Sequence, residues 1–348
     1  MPSGSYRALL ALTRGETVES IHYGAFAIVN SRGELLAAHG DPETSTFLRS
    51  SAKPFQALPF IENGGAKYWG FTPKEIAITC ASHSGTDDHA TTLAGMQAKI
   101  GINETYLQCG VHTPIDPETA KFLLLNHKEP TPNRHNCSGK HTGMLAYAQM
   151  RGYSLDDYLD PQHPLQQEIL QTFCEMCMLD PKVVALGTDG CSAPNFAIPL
   201  WNAAFGFARL VDPWELSNQR ATACKEITTS MTTHPEMIAG PGRFDTRLMA
   251  ATHSKIVSKG GAEGYQAIGI LPGVLGTDSP GVGIAIKISD GDQRGRARPA
   301  IALEILTSLS ALTTEEAQSL SDLGPSSEIR NWREILVGEA HPTFKLAL

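Results

Sequence analysis

Ser50 and Lys53 stand three residues apart in the segment Leu48-Arg49-Ser50-Ser51-Ala52-Lys53-Pro54. Residues at this spacing are neighbours on a helix, so a helix beginning near Ser50 would bring the two side chains together, whereas Ser51 would point elsewhere. A serine hydroxyl becomes a strong nucleophile when a base takes its proton, and a neutral lysine amine can be that base. The spacing predicts a Ser50 nucleophile, although an isolated match is more often a solvated helix face.

Two further segments strengthen this interpretation. An apolar run at 76–81 ends in Ser82-His83-Ser84-Gly85, where the end of a strand would deliver side chains to a site, and Lys259 precedes Gly260 and Gly261. The order of serine-x-x-lysine, then serine, then lysine-glycine is that of penicillin-recognising serine hydrolases. Taken singly, Ser82 is as well explained by a capping hydroxyl, and Lys259 by a charge in a solvated turn.

Two cysteines stand in polar, glycine-containing loops. Cys137 lies in Asn136-Cys137-Ser138-Gly139-Lys140-His141, and Cys191 lies in Gly187-Thr188-Asp189-Gly190-Cys191. Two thiolates and a nitrogen ligand suit Zn²⁺, and chemistry alone nominates His141 as that ligand because lysine must lose a proton to coordinate. A buried, inert thiol is the alternative for either cysteine. Cys174 and Cys177 fall within a helical pattern and are interpreted as core residues.

The elements that must position these residues are strands near both ends of the chain and helices between them. Strands are predicted within 21–36, turning at Gly33, and at 183–186, 265–270 and 283–288, with the first pair at the edge of a sheet. Helices are predicted from Ser50 to 62, where Pro54 suits a first turn, and at 140–150, 163–178, 214–231 and 299–312.

Composition narrows the class of protein. The 348 residues are 41% hydrophobic and 18% charged, which is typical of a folded globular protein. A formal net charge of −8 without a basic stripe argues against a nucleic-acid partner. The start lacks the pattern of a signal peptide, and no stretch is apolar for long enough to cross a membrane. The seven cysteines are interpreted as free thiols, so a cytoplasmic protein is expected.

Taken together, these segments resemble the Rhizobium-type L-asparaginases over nearly the whole chain. The matching elements are Val18-Glu19-Ser20-x-His22-x-Gly24, Arg49-Ser50-Ser51-x-Lys53-Pro54-x-Gln56-Ala57-Leu58-Pro59, Ala81-Ser82-His83-Ser84-Gly85, Asn136-Cys137-Ser138-Gly139-Lys140-His141, Gly187-x-Asp189-Gly190-Cys191 and Lys259-Gly260-Gly261-Ala262-Glu263-Gly264. Their occurrence in this order is highly specific.

The resemblance implies hydrolysis of L-asparagine to L-aspartate and ammonia. It also implies an α/β (α+β) fold similar to serine β-lactamases and glutaminases, with an antiparallel-rich sheet flanked by helices and a mainly helical region. Residues 1–348 would form a single catalytic unit, with the sheet in roughly 1–80 and 240–348 and the helical part in roughly 81–239. A homodimer is expected.

The resemblance further implies two Ser-Lys pairs, Ser50 with Lys53 and Ser82 with Lys259. Lys259 would favour the neutral form of Lys53 by charge repulsion or complete a proton relay with Ser82. The zinc site of the family maps onto three residues, with lysine in place of the chemically expected His141: Cys137, Lys140 and Cys191. The candidate substrate contacts are Arg49, Asp189, His83 and Asn136.

Two other functions fit parts of the pattern. Another Ser-Lys acyl hydrolase, acting on glutamine or a β-lactam, would share the nucleophile and differ in its pocket contacts. A non-enzymatic zinc-binding scaffold would use Cys137 and Cys191 for stability, and Ser50 would then cap a helix.

Overall fold

The computed structural model describes residues 4–346, which form a mixed α/β architecture. The strands are β1 (Arg7–Arg14), β2 (Thr17–Asn30), β3 (Leu35–His39), β4 (Ser45–Phe47), β5 (Ala185–Thr188), β6 (Pro194–Pro199), β7 (Ile256–Gly261), β8 (Tyr265–Ile270), β9 (Val282–Ile288), β10 (Ser327–Arg330) and β11 (Leu336–Pro342).

The helices are α1 (Lys53–Glu62), α2 (Gly65–Trp69), α3 (Pro73–Thr79), α4 (Asp87–Lys99), α5 (Pro117–Leu125), α6 (Ser138–Arg151), α7 (Pro164–Cys177), α8 (Leu200–Val211), α9 (Asn218–Thr233), α10 (Pro235–Ile238), α11 (Phe244–Ala251), α12 (Ala297–Ser308) and α13 (Thr314–Ser319). Within the described residues, none of these helices is long and apolar enough to span a membrane.

The chain divides into two compact units. The sheet unit contains the described residues to Ser51, then Ile198–Asp212, then the described residues from Ala251 onward. The helical unit contains Ala52–Ala197 and Pro213–Ala250. Each unit gathers segments that are distant in sequence.

The sheet unit is built on an antiparallel sheet of order β10-β11-β1-β2-β9-β8-β7, with β3 also paired to β2. Strands β8 and β9 are apolar and almost entirely buried, because α8 and α12 both pack against them. A Cβ atom at Gly283 would lie 1.8 Å from the Ala204 carbonyl oxygen. Glycine at this position therefore allows α8 to pack closely on β9.

The helical unit is organised around α1, which packs against α6, α7 and α9. Pro54 occupies its first turn, where a missing N–H breaks no intrahelical bond. Nearly every side chain of α1 is buried, including Phe55, Leu58 and Phe60. Strands β5 and β6 pair antiparallel, and β6 is mostly buried. Helix α1 is therefore held from several sides, which fixes the position of its first residue, Lys53.

The predicted antiparallel-rich sheet with flanking helices is confirmed, and strands at 265–270 and 283–288 lie where the sequence placed them. Three local predictions were wrong. The run at 76–81 belongs mainly to helix α3, since Thr72 and Glu75 form a capping box with Pro73 in the first turn. Strand β2 is interior, between β1 and β9. The predicted helix at 214–231 begins at Asn218, after the capping hydroxyl of Ser217.

Candidate active site

Ser50 lies in a short 3-10 turn, Arg49–Ala52, that leads directly into α1. Ser50 is 9% exposed, so it is largely shielded from solvent without being fully buried. Arg49 adopts a φ of 51°, in the left-handed region that non-glycine residues rarely occupy. Such strained backbone is enriched at functional sites, and here it directly precedes the candidate nucleophile.

Ser51 and Lys259 are joined within the sheet unit. The Ser51 hydroxyl donates to the Lys259 carbonyl oxygen at 2.6 Å, and the Lys259 amine donates to the Gly260 carbonyl oxygen at 2.7 Å. Lys259 is fully buried on strand β7, so the alternative of a solvated turn charge was wrong. A Cβ atom at Gly261 would lie 2.4 Å from the Leu48 carbonyl oxygen. The glycine therefore brings β7 close to the backbone before the 3-10 turn.

The Lys53 amine is enclosed in the helical unit by two carbonyl oxygens and one hydroxyl. It donates to the Ala81 carbonyl oxygen, lies 2.9 Å from Ser82 Oγ, and donates to the Asn136 carbonyl oxygen at 3.4 Å. Lys53 is 1% exposed and Ser82 is 8% exposed. Ser82 follows the end of α3, and its backbone N–H donates to the Ile238 carbonyl oxygen at 2.8 Å, which holds the segment in place.

This arrangement suits a lysine that exchanges protons with a serine. A carbonyl oxygen can only accept, so the Ala81 and Asn136 oxygens each require an N–H from Lys53. A neutral amine has two N–H groups and one lone pair, so with both carbonyl oxygens satisfied the lone pair remains to accept a hydroxyl proton. A charged amine would instead donate its third proton to Ser82. The same contact therefore serves both protonation states.

His83 is fully buried beside Ser82, and both of its ring nitrogens have partners. Nδ1 accepts from the Gly85 N–H at 3.1 Å, and Nε2 lies 2.9 Å from the Ser138 hydroxyl. Its ring stacks on that of His89 at 4.8 Å. The hydrogen bond to Ser138 joins His83 to the start of α6. The stacking of His89 on His83 was not predicted from the sequence.

We expect stability to fall in mild acid because His83 and His89 must stay neutral. Burial, followed by the charge of His89, keeps the pKa of His83 well below 6.5, and burial lowers the pKa of His89. In the unfolded chain both rings bind protons below about pH 6.5, so unfolding takes up protons and stability decreases as the pH falls through that value. Melting temperatures measured from about pH 7.5 to about 5 will show this slope.

The His83→Gln variant should have a shallower slope, because one buried ring no longer titrates. His127 is exposed, so His127→Asn serves as the control and should keep the wild-type slope. A melting temperature that is flat across this pH range would contradict the prediction.

Cys137, Lys140 and Cys191 are brought together by the start of α6 and the turn between β5 and β6. The Lys140 amine lies 3.0 Å from Cys191 Sγ, and all three residues are at most 4% exposed. A hydrogen bond with Cys191 keeps the pKa of Cys137 well below 9.0 despite the opposing effect of burial. Burial opposes the charged form of Lys140, but Cys191 and Cys137 outweigh it and raise its pKa. The lowered pKa of Cys137 favours its thiolate, and the raised pKa of Lys140 favours its charged form.

These donors fit Zn²⁺ when Lys140 supplies the nitrogen. Among residues 4–346, no three His, Cys, Asp or Glu side chains form a group that could hold a metal ion. His141 Nδ1 lies 2.7 Å from the Tyr158 hydroxyl, and the ring is also hydrogen-bonded to Cys191. Burial lowers the pKa of His141 to about 4, although nearby Cys191 acts in the opposite direction.

Asp189 shapes the turn that carries Cys191. Its N–H donates to the Ala193 carbonyl oxygen at 2.9 Å, its carbonyl oxygen accepts from the Ser192 N–H at 2.9 Å, and its carboxylate accepts from the Gly190 N–H at 2.8 Å.

Asn136, in the loop before α6, presents its carbonyl oxygen to Lys53. Arg49 Nη1 lies 3.9 Å from a Glu263 carboxylate oxygen. Arg49 and Asp189 thus belong to different units, as do Lys259 and Ser82.

A buried lysine amine in contact with a serine hydroxyl is the arrangement used by Ser-Lys acyl hydrolases. Residues 10–342 match the family model of L-asparaginase II, and the chain therefore belongs to that family. The protein is an amide hydrolase by this membership, and the predicted resemblance to an asparaginase family is confirmed.

Comparison with solved structures returned glutaminases. A probable glutaminase from Bacillus subtilis, complexed with 6-diazo-5-oxo-L-norleucine, has 12% identity over 83% of this chain and 84% of its own, with a TM-score of 0.39. A Bacillus glutaminase crystallised in 4.3 M NaCl has 12% identity over 83% and 91%, with a TM-score of 0.40. At this level of similarity neither structure indicates a substrate for the chain. No curated protein matched significantly.

Proposed function

We propose that the protein hydrolyses L-asparagine to L-aspartate and ammonia through a covalent ester on Ser50. The observation that carries this proposal is the buried Lys53 amine, which has two carbonyl acceptors and one serine hydroxyl around it. That set of partners suits an amine that alternates between neutral and charged forms. Membership of the L-asparaginase II family supports the choice of substrate.

In the proposed reaction, neutral Lys53 takes the proton of the Ser50 hydroxyl while Ser50 Oγ attacks the side-chain amide carbon of asparagine. The spacing of three residues supports this pairing. The C–N bond then breaks, and the charged Lys53 amine gives its extra proton to the departing nitrogen, which leaves as ammonia. Ser82 lies 2.9 Å from the Lys53 amine and would relay that proton from the amine to the nitrogen. Water, activated by the neutral amine, hydrolyses the β-aspartyl ester and regenerates Ser50.

We propose that the remaining candidate residues bind the substrate or position the catalytic groups. Arg49 would pair with the α-carboxylate of the substrate, and Asp189 and Asn136 would contact its α-amino end. Both ring nitrogens of His83 are already bonded, so we propose that it acts through Ser138 and Gly85 and does not touch the substrate. Lys259 would complete a proton relay with Ser82.

An end-point ammonia assay on asparagine and glutamine, with and without a chelator, tests this function. We expect asparagine to be turned over in preference to glutamine, because the pocket contacts decide which amide chain fits. Turnover of glutamine in preference, or opening of a β-lactam, would assign the chain to another Ser-Lys acyl hydrolase. A protein that turns over no amide and unfolds in chelator would be a zinc-binding scaffold.

We also propose that Cys137, Lys140 and Cys191 hold Zn²⁺, which would supply a fixed positive charge at this loop. Binding must displace the Lys140 proton, so zinc affinity should increase with pH. We expect purified protein to contain zinc, Lys140→Met to lose it and His141→Gln to retain it, as measured by elemental analysis. The opposite pattern would make His141 the nitrogen ligand.

We further propose that the protein is a cytoplasmic homodimer. All seven cysteines are buried free thiols, which suits a reducing compartment.

A further inference from the structure

We propose that His112 positions the Asn136 backbone so that its carbonyl oxygen faces the Lys53 amine, and that His112 is thereby a positioning residue for proton transfer. This inference rests on the proposed function of the Ser-Lys site and adds a residue to it.

Two histidines hold the N–H groups on either side of Asn136. The Asn136 N–H donates to His112 Nε2 at 3.0 Å, and the Cys137 N–H donates to His135 Nδ1 at 3.0 Å. The peptide between Asn136 and Cys137 carries the oxygen that accepts from Lys53 at 3.4 Å. Both ends of the segment that reaches Lys53 are therefore held by imidazole nitrogens.

The partners of each ring define its tautomer. His112 Nδ1 lies 2.7 Å from the Thr113 carbonyl oxygen, which can only accept, so the proton is on Nδ1 and Nε2 accepts. The Asn136 side chain lies 3.3 Å from the same Nε2 and must present its NH₂ group there. The Cys137 N–H donates to His135 Nδ1, so that nitrogen is an acceptor as well. The two rings lie 4.4 Å apart.

The Asn136 carbonyl is the weaker of the two carbonyl contacts of Lys53. At 3.4 Å, a small displacement would break it, whereas Ala81 is held by the end of α3. With one carbonyl gone, an N–H of neutral Lys53 would turn towards Ser82 Oγ, and the amine would no longer be held in one orientation for proton transfer. Loss of His112 should therefore slow the chemical step more than it weakens substrate binding.

The matched variants are His112→Leu, which has no acceptor, and His112→Gln, whose carbonyl oxygen can reach the position of Nε2. His112 lies between helices and is partly exposed, so both variants should fold with nearly wild-type melting temperatures. We expect kcat of His112→Leu for asparagine to fall about tenfold or more, with a smaller change in KM, and His112→Gln to recover most of the loss in kcat. Wild-type kcat in His112→Leu, or equal losses in both variants, would overturn the inference.

Hydrogen exchange at the Asn136 amide tests the contact without reference to turnover. Exchange should be faster in His112→Leu than in wild type and close to wild type in His112→Gln. Unchanged exchange in His112→Leu overturns the inference while the proposed function stands. A wild-type protein without amidase activity overturns the proposed function and the catalytic role of His112, even where exchange shows that His112 holds the loop.

Discussion

Ser50→Ala should abolish ammonia release from asparagine, with a loss in kcat of about four orders of magnitude or more. Without the Ser50 hydroxyl, the ester on that residue cannot form. The small change in side chain should leave the fold intact, because alanine fits within the space of serine and Ser50 is 9% exposed. Steady-state ammonia assays and circular dichroism measure the two effects.

Ser51→Ala is the matched control for this variant. It removes the hydrogen bond from Ser51 to the Lys259 carbonyl oxygen, which stabilises the folded state by about 1 kcal/mol, and leaves the proposed nucleophile in place. We therefore expect a lower melting temperature and a kcat within about tenfold of wild type. Near wild-type turnover in Ser50→Ala, or loss of turnover only in Ser51→Ala, would contradict the assignment of Ser50.

Lys53→Met should reduce kcat by roughly 10³-fold, which is the contribution of a well-placed general base. Methionine has a similar length and suits a buried position, so the loss reports on the amine and not on a large cavity. The Ala81 and Asn136 carbonyl oxygens would lose a partner, and the variant should also be less stable.

Small primary amines added to Lys53→Met provide the control for stability effects. An amine that enters the space left by the side-chain terminus can take the Ser50 proton and restore part of the turnover, whereas a neutral alcohol of the same size cannot. Full activity in Lys53→Met without added amine would show that another group is the base.

The sequence predicted the sheet more completely than the site. Strands such as β8 and β9 are continuous apolar runs between turn residues, and this local pattern defines them. The apolar run before Ser82 was misassigned to a strand, because the capping box at Thr72 and Glu75 was overlooked. The helical ends of α6 and α7 also lie within a residue or two of their predicted positions.

The Ser-Lys spacing could be recognised because Ser50 and Lys53 lie within one turn of chain. The partners of the Lys53 amine could not be predicted from the sequence. Ser82 and Asn136 are 29 and 83 residues away from Lys53, and two of the three acceptors are backbone oxygens. Any residue can supply a backbone carbonyl, so residue types do not reveal these acceptors. For the same reason the sequence did not predict the roles of His112 and His135, whose ring nitrogens accept from backbone N–H groups.

The most direct test of the Ser50 assignment is the location of the covalent intermediate. Wild-type protein mixed with asparagine is quenched in acid during turnover, digested with trypsin and mapped by mass spectrometry. Trypsin places Ser50 in the peptide 50–67 and Ser82 in the peptide 75–99, so the two serines are separated. We predict an aspartyl ester on Ser50 in the first peptide. An ester on Ser82, or turnover without any acylated serine, would contradict the account.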